Sequence, residues 1–378
     1  MYILIGADIV PTSSNMDLFI NGDAEALLGQ ELCSLMKEAD HRIFNLELPL
    51  TDKETPILKH GPNHMAPTAS VAGLKAIGTD LFTLANNHIL DQGEQGLLST
   101  ENALDSAGIA HFGTGTSETA SAPYLLEFAG KTIGLYACTE HEFSLATKDR
   151  IGANPFDPLW SPDHVKELKD RTDFVIVLYH GGKEIYRYPT PRLQSVCRRL
   201  IDKGADLVIC QHSHCIGCEE KYGGGTIVYG QGNFLFDDDD SEFGKTALLV
   251  KIDDQLRISY IPTVKHESVV RLADENTGKR ILSEFEARSE EARSEEFLQE
   301  HYNEIAQIYL PYYLSVSGGR ESALFKMLDK LSHGRLRRYK NALKYKKTDM
   351  TALRNIIECE VHNELFIRGL SDLSDQKP

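Results

Sequence analysis

Two histidines separated by one residue, His212 and His214, are the clearest candidate for a metal-binding pair in the sequence. They follow Leu207–Cys210, a short run of valine and isoleucine type that predicts a buried strand. Imidazoles at this spacing after a strand can project the same way and reach neighbouring metal ions. Taken alone, the pair is better explained as two exposed loop histidines, and the rest of the sequence has to decide between the two interpretations.

Four other predicted strands end in residues of the same chemical character. These are Asp8 after Ile3–Ile5, Glu47 closing Arg42–Glu47, Asn87-His88 after Asp80–Ala85, and His180 after Asp173–Tyr179. Each has a structural explanation of its own; Asp8, for example, could close an Asx-turn or cap a helix. Together, carboxylates, imidazoles and an amide are the ligands of a paired divalent site. Because ligands gather beyond the carboxyl ends of strands in α/β sheets, these side chains are expected to converge.

The elements that must position these residues alternate between strand and helix, which predicts an α/β fold. Amphipathic helices are predicted over Ala24–Lys37 and Pro191–Lys203, and Pro11–Gly22 is predicted to be a polar loop. Thr246–Ile252 and Arg257–Thr263 alternate and predict closing antiparallel strands. Beyond about residue 268 the sequence turns charged and helical, so we expect one domain over residues 1–268 and a helical C-terminal region over 269–378.

Composition narrows the classes of function. The chain has 378 residues and a formal net charge of −16, which argues against nucleic-acid binding and against an anionic membrane surface. No apolar stretch is long enough to span a membrane, and Met1–Asp8 reads as a first strand rather than a signal peptide. The seven cysteines suit reduced thiols and a cytoplasmic location. Cys215 and Cys218 lack a second ligand pair for structural zinc.

The strand-end motifs, taken together, resemble those of a known superfamily. They are Gly6–Asp8, Asn45–Pro49, Ala85–Asp91, His180–Glu184, His212–His214 and Gly232–Phe234. In this order they resemble the calcineurin-like metallophosphatase superfamily and, within it, the CapA family of capsule and poly-γ-glutamate synthesis proteins. The resemblance covers about residues 1–265. It implies a two-sheet β sandwich flanked by helices, with a dinuclear centre of Mn, Fe or Zn.

The resemblance also implies a role for each residue. The implied ligands are Asp8 and His214 for the first metal, Glu47 as the bridge, and Asn87, His180 and His212 for the second. His88 would act over the substrate as general acid or charge stabiliser, and Asp91 would orient it. The residues predicted to contact the substrate are Asn45, Lys59, Glu184 and Asn233. For Lys59 the competing explanation is a solvated loop lysine.

Two departures from the superfamily pattern bear on activity. Its first motif is Asp-x-His, but Ile9 and Val10 follow Asp8 here, so the first metal would have one ligand fewer. The bridging carboxylate is Glu47 instead of an aspartate, and its side chain is one methylene longer. Neither departure argues against metal binding.

Three functional interpretations follow. The leading one is a metal-dependent phosphoesterase-type hydrolase of capsule or poly-γ-glutamate metabolism, acting on a phosphorylated saccharide, a polyglutamate-type chain or a carrier-linked intermediate. The alternative is a non-catalytic assembly component with a degraded metal site, whose C-terminal helices dock on a capsule synthase. The third interpretation is a plain α/β protein with surface histidines, which would require the six motifs to occur in the family's order by chance.

Overall fold

The computed structural model describes residues 1–236, 241–317, 321–358, 362–363 and 366. Within these residues the strands are β1 (Tyr2–Val10), β2 (His41–Leu46), β3 (Leu81–Thr83), β4 (Ala110–Phe112), β5 (Thr114–Gly115), β6 (Tyr124–Phe128), β7 (Lys131–Thr139), β8 (Gly152–Ala153), β9 (Phe174–His180), β10 (Leu207–Gln211), β11 (Glu219–Tyr222), β12 (Gly225–Val228), β13 (Asn233–Phe236), β14 (Thr246–Asp253), β15 (Ile258–His266) and β16 (Val269–Leu272). The α-helices are α1 (Met16–Asn21), α2 (Ala24–Glu38), α3 (Val71–Ala76), α4 (Gly93–Ala107), α5 (Ser161–Lys169), α6 (Pro191–Asp202), α7 (Glu275–Glu291), α8 (Glu295–Ser317), α9 (Ala323–Leu331), α10 (Arg335–Lys344) and α11 (Lys347–Glu358).

Most strands belong to two sheets. The first has the order β16-β15-β14-β1-β2-β3-β4, and β13 also pairs with the end of β1. The second has the order β11-β12-β10-β9-β7-β6, and β5 pairs with β8 in a separate two-stranded ribbon. This confirms the predicted α/β class and the two-sheet sandwich flanked by helices. In the described part of the chain, every helix is too short or too polar to cross a lipid bilayer.

Side chains alternate between the two faces of each strand, and this alternation determines which residues form the core and which way the last side chain of a strand points. In β9, Ile176 and Leu178 pack between the sheets, against Ile3 and Ile5 of β1. The intervening valines of β9 pack on the outer face, in a cluster that also contains residues of α5 and α6. Because successive side chains point to opposite faces of a sheet, His180 continues the inward-facing series at the end of β9.

A register shift in β1 sets the position of the first strand-end carboxylate. Pairing of β1 with β2 shifts between Ile5 and Asp8, and the Gly6 carbonyl accepts a hydrogen bond from Gln211 Nε2 at 3.2 Å. A Cβ on Gly6 would lie 2.0 Å from the Phe44 ring, so the close approach requires glycine. After the shift Asp8 pairs with Asn45 of β2, which places both polar side chains at one end of the sheet.

The prediction of a loop over Pro11–Gly22 was wrong, because the segment contains α1. Phe19 is fully buried in the outer core, and the helix ends at Gly22 with φ of +65°. The six-residue length of α1 leaves too few turns for a periodic pattern to show. Turn-type residues on both sides of it also favour a loop when only the sequence is considered.

The chain divides into two compact units, Met1–Leu298 and Gln299–Pro378. The first unit therefore extends past the boundary predicted after residue 268, because α7 belongs to it. Ile281 and Phe285 of α7 are buried in the core between the sheets. Their spacing of one helical turn is obscured in the sequence by the charged residues around them. In the second unit, Asn341 Nδ2 of α10 donates a hydrogen bond to the Pro311 carbonyl at 2.8 Å.

Truncating Phe285 should destabilise the first unit. We expect Phe285→Ala to lower its free energy of unfolding by about 3–5 kcal/mol, because a buried aromatic ring is removed from the core. Urea titration followed by far-UV circular dichroism measures the change. Ser283→Ala, at an exposed position of the same helix, serves as the matched control and should shift the midpoint little. Equal midpoints for the two variants would show that α7 does not contribute to this core.

Candidate metal centre

Side chains from four strand ends converge at one edge of the sandwich. His180 Nε2 lies 3.1 Å from Glu47 Oε1, and His180 Nδ1 lies 3.9 Å from Asp8 Oδ1. His214 Nδ1 is 3.8 Å from Asp8 Oδ2, and His212 Nδ1 is 4.0 Å from Glu47 Oε1. One ligand atom each of Glu47, His212 and His214 lies within 4.8 Å of the others. The structure thus brings these five predicted ligands together.

Several polar atoms of this cluster are buried without a hydrogen bond. Among the residues that the structure describes, Asp8 Oδ2, both Glu47 carboxylate oxygens and His212 Nδ1 have no hydrogen-bond partner. Buried polar atoms are almost always paired, and an unpaired carboxylate away from water is costly. A divalent cation would satisfy oxygen and imidazole ligands together. The residues present therefore fit a centre that binds divalent cations.

The electrostatics of the cluster point the same way. Burial raises the pKa of Asp8, and the charge of Glu47 raises it further. Burial would also raise the pKa of Glu47, but the charges of His180 and His214 outweigh it and hold that pKa below its usual range. Burial and the charge of His180 hold the pKa of His212 well below its usual value. A lowered pKa favours the neutral imidazole, which is the form that binds metals.

Asn87, the remaining predicted ligand, lies against the same cluster. Its Oδ1 is 3.0 Å from His180 Nε2, and its Nδ2 donates to Glu142 Oε2 at 2.9 Å. A second carboxylate of the same loop, Glu140, has its Oε1 3.4 Å from His212 Nε2. Glu140, Glu142 and His212 form a second group whose ligand atoms lie within 4.8 Å of one another.

Sequence reasoning did not assign Glu140 and Glu142 to the site. The available signal was their position directly after β7, whose last residue, Thr139, pairs with His180 of β9. Two neighbouring strands ending at the same level bring their following residues to the same edge of the sheet. That register is not visible in the sequence alone.

His88 and Asp91 form a pair beside the cluster, as the resemblance implies. His88 Nδ1 lies 2.6 Å from Asp91 Oδ2. Lys59 Nζ forms an ion pair with Asp91 Oδ1 and lies 3.1 Å from His88 Nδ1. The Lys59 side chain is only 2% exposed, so it is not the solvated loop lysine of the competing explanation. Its ammonium group neutralises a buried carboxylate, and it holds the His88–Asp91 pair in place.

Two further residues of this region, Asn86 and His64, were not predicted to belong to the site. Asn86 Nδ2 donates to Asn45 Oδ1 at 3.0 Å, while Asn86 Oδ1 accepts from the His88 backbone N–H at 3.1 Å. The His64 ring centroid is 4.5 Å from that of His88, and its backbone N–H donates to Asp91 Oδ2 at 2.6 Å. Burial and the charge of His88 lower the pKa of His64 to about 4, so His64 is neutral near pH 7.

Of the other residues predicted to contact substrate, two asparagines contact predicted metal ligands and the glutamate is exposed. Asn45 Nδ2 donates to Asp8 Oδ1 at 2.8 Å, and Asn233 Oδ1 lies 2.8 Å from His214 Nδ1. Both asparagines are buried, at 0% and 4% exposure, and each orients a predicted metal ligand. Glu184 is exposed.

The two histidines that follow β10 have an unusual backbone conformation. His212 and His214 have φ angles of +76° and +53°, in the left-handed region that favours glycine. Each such residue costs on the order of 1 kcal/mol and persists only where its surroundings enforce it. The two rings have centroids 5.8 Å apart. The two side chains thus reach the cluster through a strained backbone turn.

A cavity of about 420 Å³ adjoins the centre through the loop that carries Glu140 and Glu142. Its wall combines these acidic residues with cationic and aromatic ones, namely Lys183, Arg192, Phe156 and Tyr179.

Comparisons with known proteins agree with the motifs. The chain is 28% identical over 213 residues to the capsule biosynthesis protein CapA of Bacillus anthracis, covering 53% of this chain and 52% of that one. It is 29% identical over 208 residues to the PGA biosynthesis protein CapA of Bacillus subtilis strain 168, covering 54% and 55%. A "Probable polyglutamine synthesis accessory protein" of Mycobacterium tuberculosis is 32% identical over 225 residues, covering 55% and 59%. The matched part thus spans little more than half the length of these curated relatives.

Among solved structures, a novel phosphatase from Mycoplasma pneumoniae has 16% sequence identity and a TM-score of 0.43, with 71% of this chain and 94% of that chain covered. A likeness at this level carries no conclusion about activity. The family model described as bacterial capsule synthesis protein PGA_cap matches residues 7–238, more than half of the chain. This match confirms the CapA resemblance drawn from the strand-end motifs, and the chain belongs to the PGA_cap family of bacterial capsule synthesis proteins.

Proposed function

We propose that this protein is a metal-dependent hydrolase of the phosphoesterase type that acts in capsule or poly-γ-glutamate metabolism. One observation carries the proposal. Buried oxygen and nitrogen atoms of Asp8, Glu47 and His212 converge without hydrogen-bond partners among the described residues. Leaving such atoms unpaired would be destabilising, and two divalent cations would pair them.

The ligand partition follows the resemblance. The proposed ligands are Asp8 and His214 for the first ion, Glu47 between the ions, and Asn87, His180 and His212 for the second. Two bound Mn, Fe or Zn ions would supply Lewis acidity and an activated water for displacement at phosphorus. The first site lacks the histidine of the superfamily motif, because the buried side chains of Ile9 and Val10 follow Asp8.

The residues of the chain supply proton transfer. In this proposal His88 Nδ1 donates a hydrogen bond to Asp91 Oδ2 at 2.6 Å. The other ring nitrogen, Nε2, is then the one that acts on the substrate. In this proposal the imidazolium form of His88 gives its Nε2 proton to the leaving oxygen and remains as the neutral ring with its proton on Nδ1, a step of general acid catalysis. Lys59 forms an ion pair with Asp91, which holds the carboxylate in place beside the His88 ring.

The substrate class follows from the family and from charge. The relatives carry the names of capsule, PGA and polyglutamine synthesis proteins, and we propose a phosphorylated saccharide or a polyglutamate-type chain. In the cavity beside the centre, Lys183 and Arg192 would meet the anionic part of such a substrate. Glu184, near this loop, is retained as a proposed substrate contact. The net charge of −16 argues against nucleic acid as partner.

A cytoplasmic location is proposed on the basis of the cysteines. The six cysteines that the structure describes are all free thiols, which is typical of proteins in a reducing compartment.

A second candidate function is a non-catalytic assembly component. The missing histidine after Asp8 favours it, as does the accessory role in the name of the mycobacterial relative. The second unit exposes large apolar side chains on α9, among them Leu324, Met327 and Leu331. Such side chains are typical of a docking surface, and in this proposal they contact a capsule synthase. Metal binding without turnover of any phosphoester would favour this candidate.

Metal content tests the proposed centre. After dialysis against Mn²⁺ and removal of free ion, we expect about two equivalents per chain by inductively coupled plasma mass spectrometry. Glu47→Gln should reduce the content to below one equivalent, because the bridge serves both ions. Glu184→Gln is the matched control at an exposed glutamate and should keep both ions. Wild-type protein without bound metal would contradict the proposed hydrolase and would leave the assembly component, whose degraded site holds one metal or none, as the remaining candidate.

His88→Ala tests the role of the His88–Asp91 pair. We expect hydrolysis of an aryl phosphate or phosphodiester to fall about 10²-fold or more, because the leaving group loses its proton donor. The metal content should stay at the wild-type value, since His88 is not a ligand. His111→Ala, which alters a ring paired with exposed Asp105 at 3.2 Å, is the control for both measurements. A loss of metal in His88→Ala would show that His88 is a ligand instead.

A further inference from the structure

We propose that the loop after β7 orients two ligands of the metal centre through a pair of carboxylates. Glu142 selects the orientation of the Asn87 amide, and Glu140 selects the tautomer of His212. The proposal rests on the metal centre proposed above, and it assigns both glutamates as positioning residues.

The amide of Asn87 has one acceptor and one donor group, so its orientation decides whether it can bind a cation. An ionised carboxylate only accepts hydrogen bonds. Glu142 Oε2 lies 2.9 Å from Asn87 Nδ2 and accepts a hydrogen bond from it. Asn87 Oδ1 is thereby turned to the other side, where it lies 3.0 Å from His180 Nε2. The carboxylate of Glu142 therefore presents the oxygen of Asn87 to the centre.

For the imidazole of His212, metal binding depends in the same way on which of its two ring nitrogens carries the proton. Its Nε2 lies 3.4 Å from Glu140 Oε1, and its Nδ1 lies 4.0 Å from Glu47 Oε1. Nδ1 is buried without a hydrogen-bond partner among the described residues. A neutral imidazole carries its proton on one nitrogen only. If that proton is on Nε2, the nitrogen 3.4 Å from Glu140 Oε1, the Nδ1 lone pair is available to a cation, as in carboxylate–histidine–metal arrangements.

Hydrogen bonds hold the loop after β7 in place, so that its carboxylates can orient Asn87 and His212. The Glu140 backbone N–H and the Thr139 hydroxyl both donate to the His180 carbonyl, each at 3.0 Å. The Gly182 N–H donates to Glu140 Oε2 at 3.1 Å, which leaves Oε1 for His212. Ser144 Oγ, from the same loop, donates to the Asn87 carbonyl at 2.6 Å. These bonds tie the loop to both ligand-bearing strand ends, so the carboxylates are held in fixed positions.

The same residues could instead bind a cation of their own, since Glu140, Glu142 and His212 have ligand atoms within 4.8 Å of one another. Against this, Glu142 Oε2 is bonded to Asn87 and Glu140 Oε2 to Gly182. The carboxylate oxygens at the site that are buried without a hydrogen bond among the described residues belong to Glu47 and Asp8, not to Glu140 or Glu142. The observations therefore favour orientation over a further metal site.

Substitutions at Glu140 and Glu142 test the proposal by calorimetric titration of metal-free protein with Mn²⁺. We expect Glu140→Ala and Glu142→Ala each to weaken one of two sites by about 10- to 100-fold, as loss of an outer-shell carboxylate does. Glu140→Gln and Glu142→Gln should restore most of the affinity, because their amide oxygens still accept the hydrogen bond. Glu167→Ala, at an exposed glutamate of α5 outside the site, is the matched control and should bind like wild type.

The tautomer of His212 gives a readout that does not depend on bound metal. In long-range ¹H–¹⁵N correlation spectra of the metal-free protein, with His212→Ala to assign the signals, we expect the Nε2–H form. Glu140→Ala should allow the Nδ1–H form to appear, while Glu140→Gln should not.

The outcomes separate this proposal from the function on which it rests. Wild-type protein that binds no Mn²⁺ would refute the metal centre itself. Two intact sites in both alanine variants, with an unchanged tautomer, would overturn the positioning role alone. Three equivalents in wild type, falling to two in Glu140→Ala, would show that the glutamates bind their own cation and would likewise overturn it.

Discussion

The burial of two carboxylates at one end of the sandwich is the constraint on which the rest of the structure depends. Asp8 and Glu47 are both 0% exposed, and two negative charges at close range in a low-dielectric interior repel strongly. Among the described residues this charge is offset by His180 at 3.1 Å from Glu47, by His214 at 3.8 Å from Asp8 and by the Asn45 amide at 2.8 Å from Asp8. The remaining demand for positive charge is what makes a cation centre the best account of the site.

Several costly local features serve this arrangement. The register shift in β1 needs Gly6 against the Phe44 ring, and its freed carbonyl is bonded by Gln211. The next residue after Gln211, His212, adopts a left-handed backbone. Strain and unpaired polar atoms both lower stability, and they concentrate at functional sites because selection retains them there. Their coincidence at one sheet edge therefore supports a functional interpretation of the cluster.

The sequence predicted the strand-end ligands because apolar runs followed by polar residues locate strand ends without knowledge of contacts. Asp8, Glu47, His180, His212 and His214 were found in this way, and the structure brings them together. The sandwich itself followed from the family resemblance, which the family match over residues 7–238 confirms.

The other features of the site and of the fold depend on contacts between distant parts of the sequence, which local sequence patterns do not predict. Lys59 and Asn233 were predicted to contact substrate, but in the structure Lys59 pairs with Asp91 and Asn233 contacts His214. The contribution of Glu140 depends on the register of β7 against β9. Similarly, α7 was assigned to the C-terminal region because its charged surface outweighs the two residues that it buries in the core.

The most direct test of the central claim is anomalous diffraction from crystals of the protein grown with Mn²⁺ or Zn²⁺, recorded at the absorption edge of that metal. The account predicts two peaks between Asp8, Glu47 and His212, about 3.5–4 Å apart as in other paired sites, with His88 outside the coordination sphere. Density without an anomalous peak among these side chains, at metal concentrations that saturate binding, would contradict it.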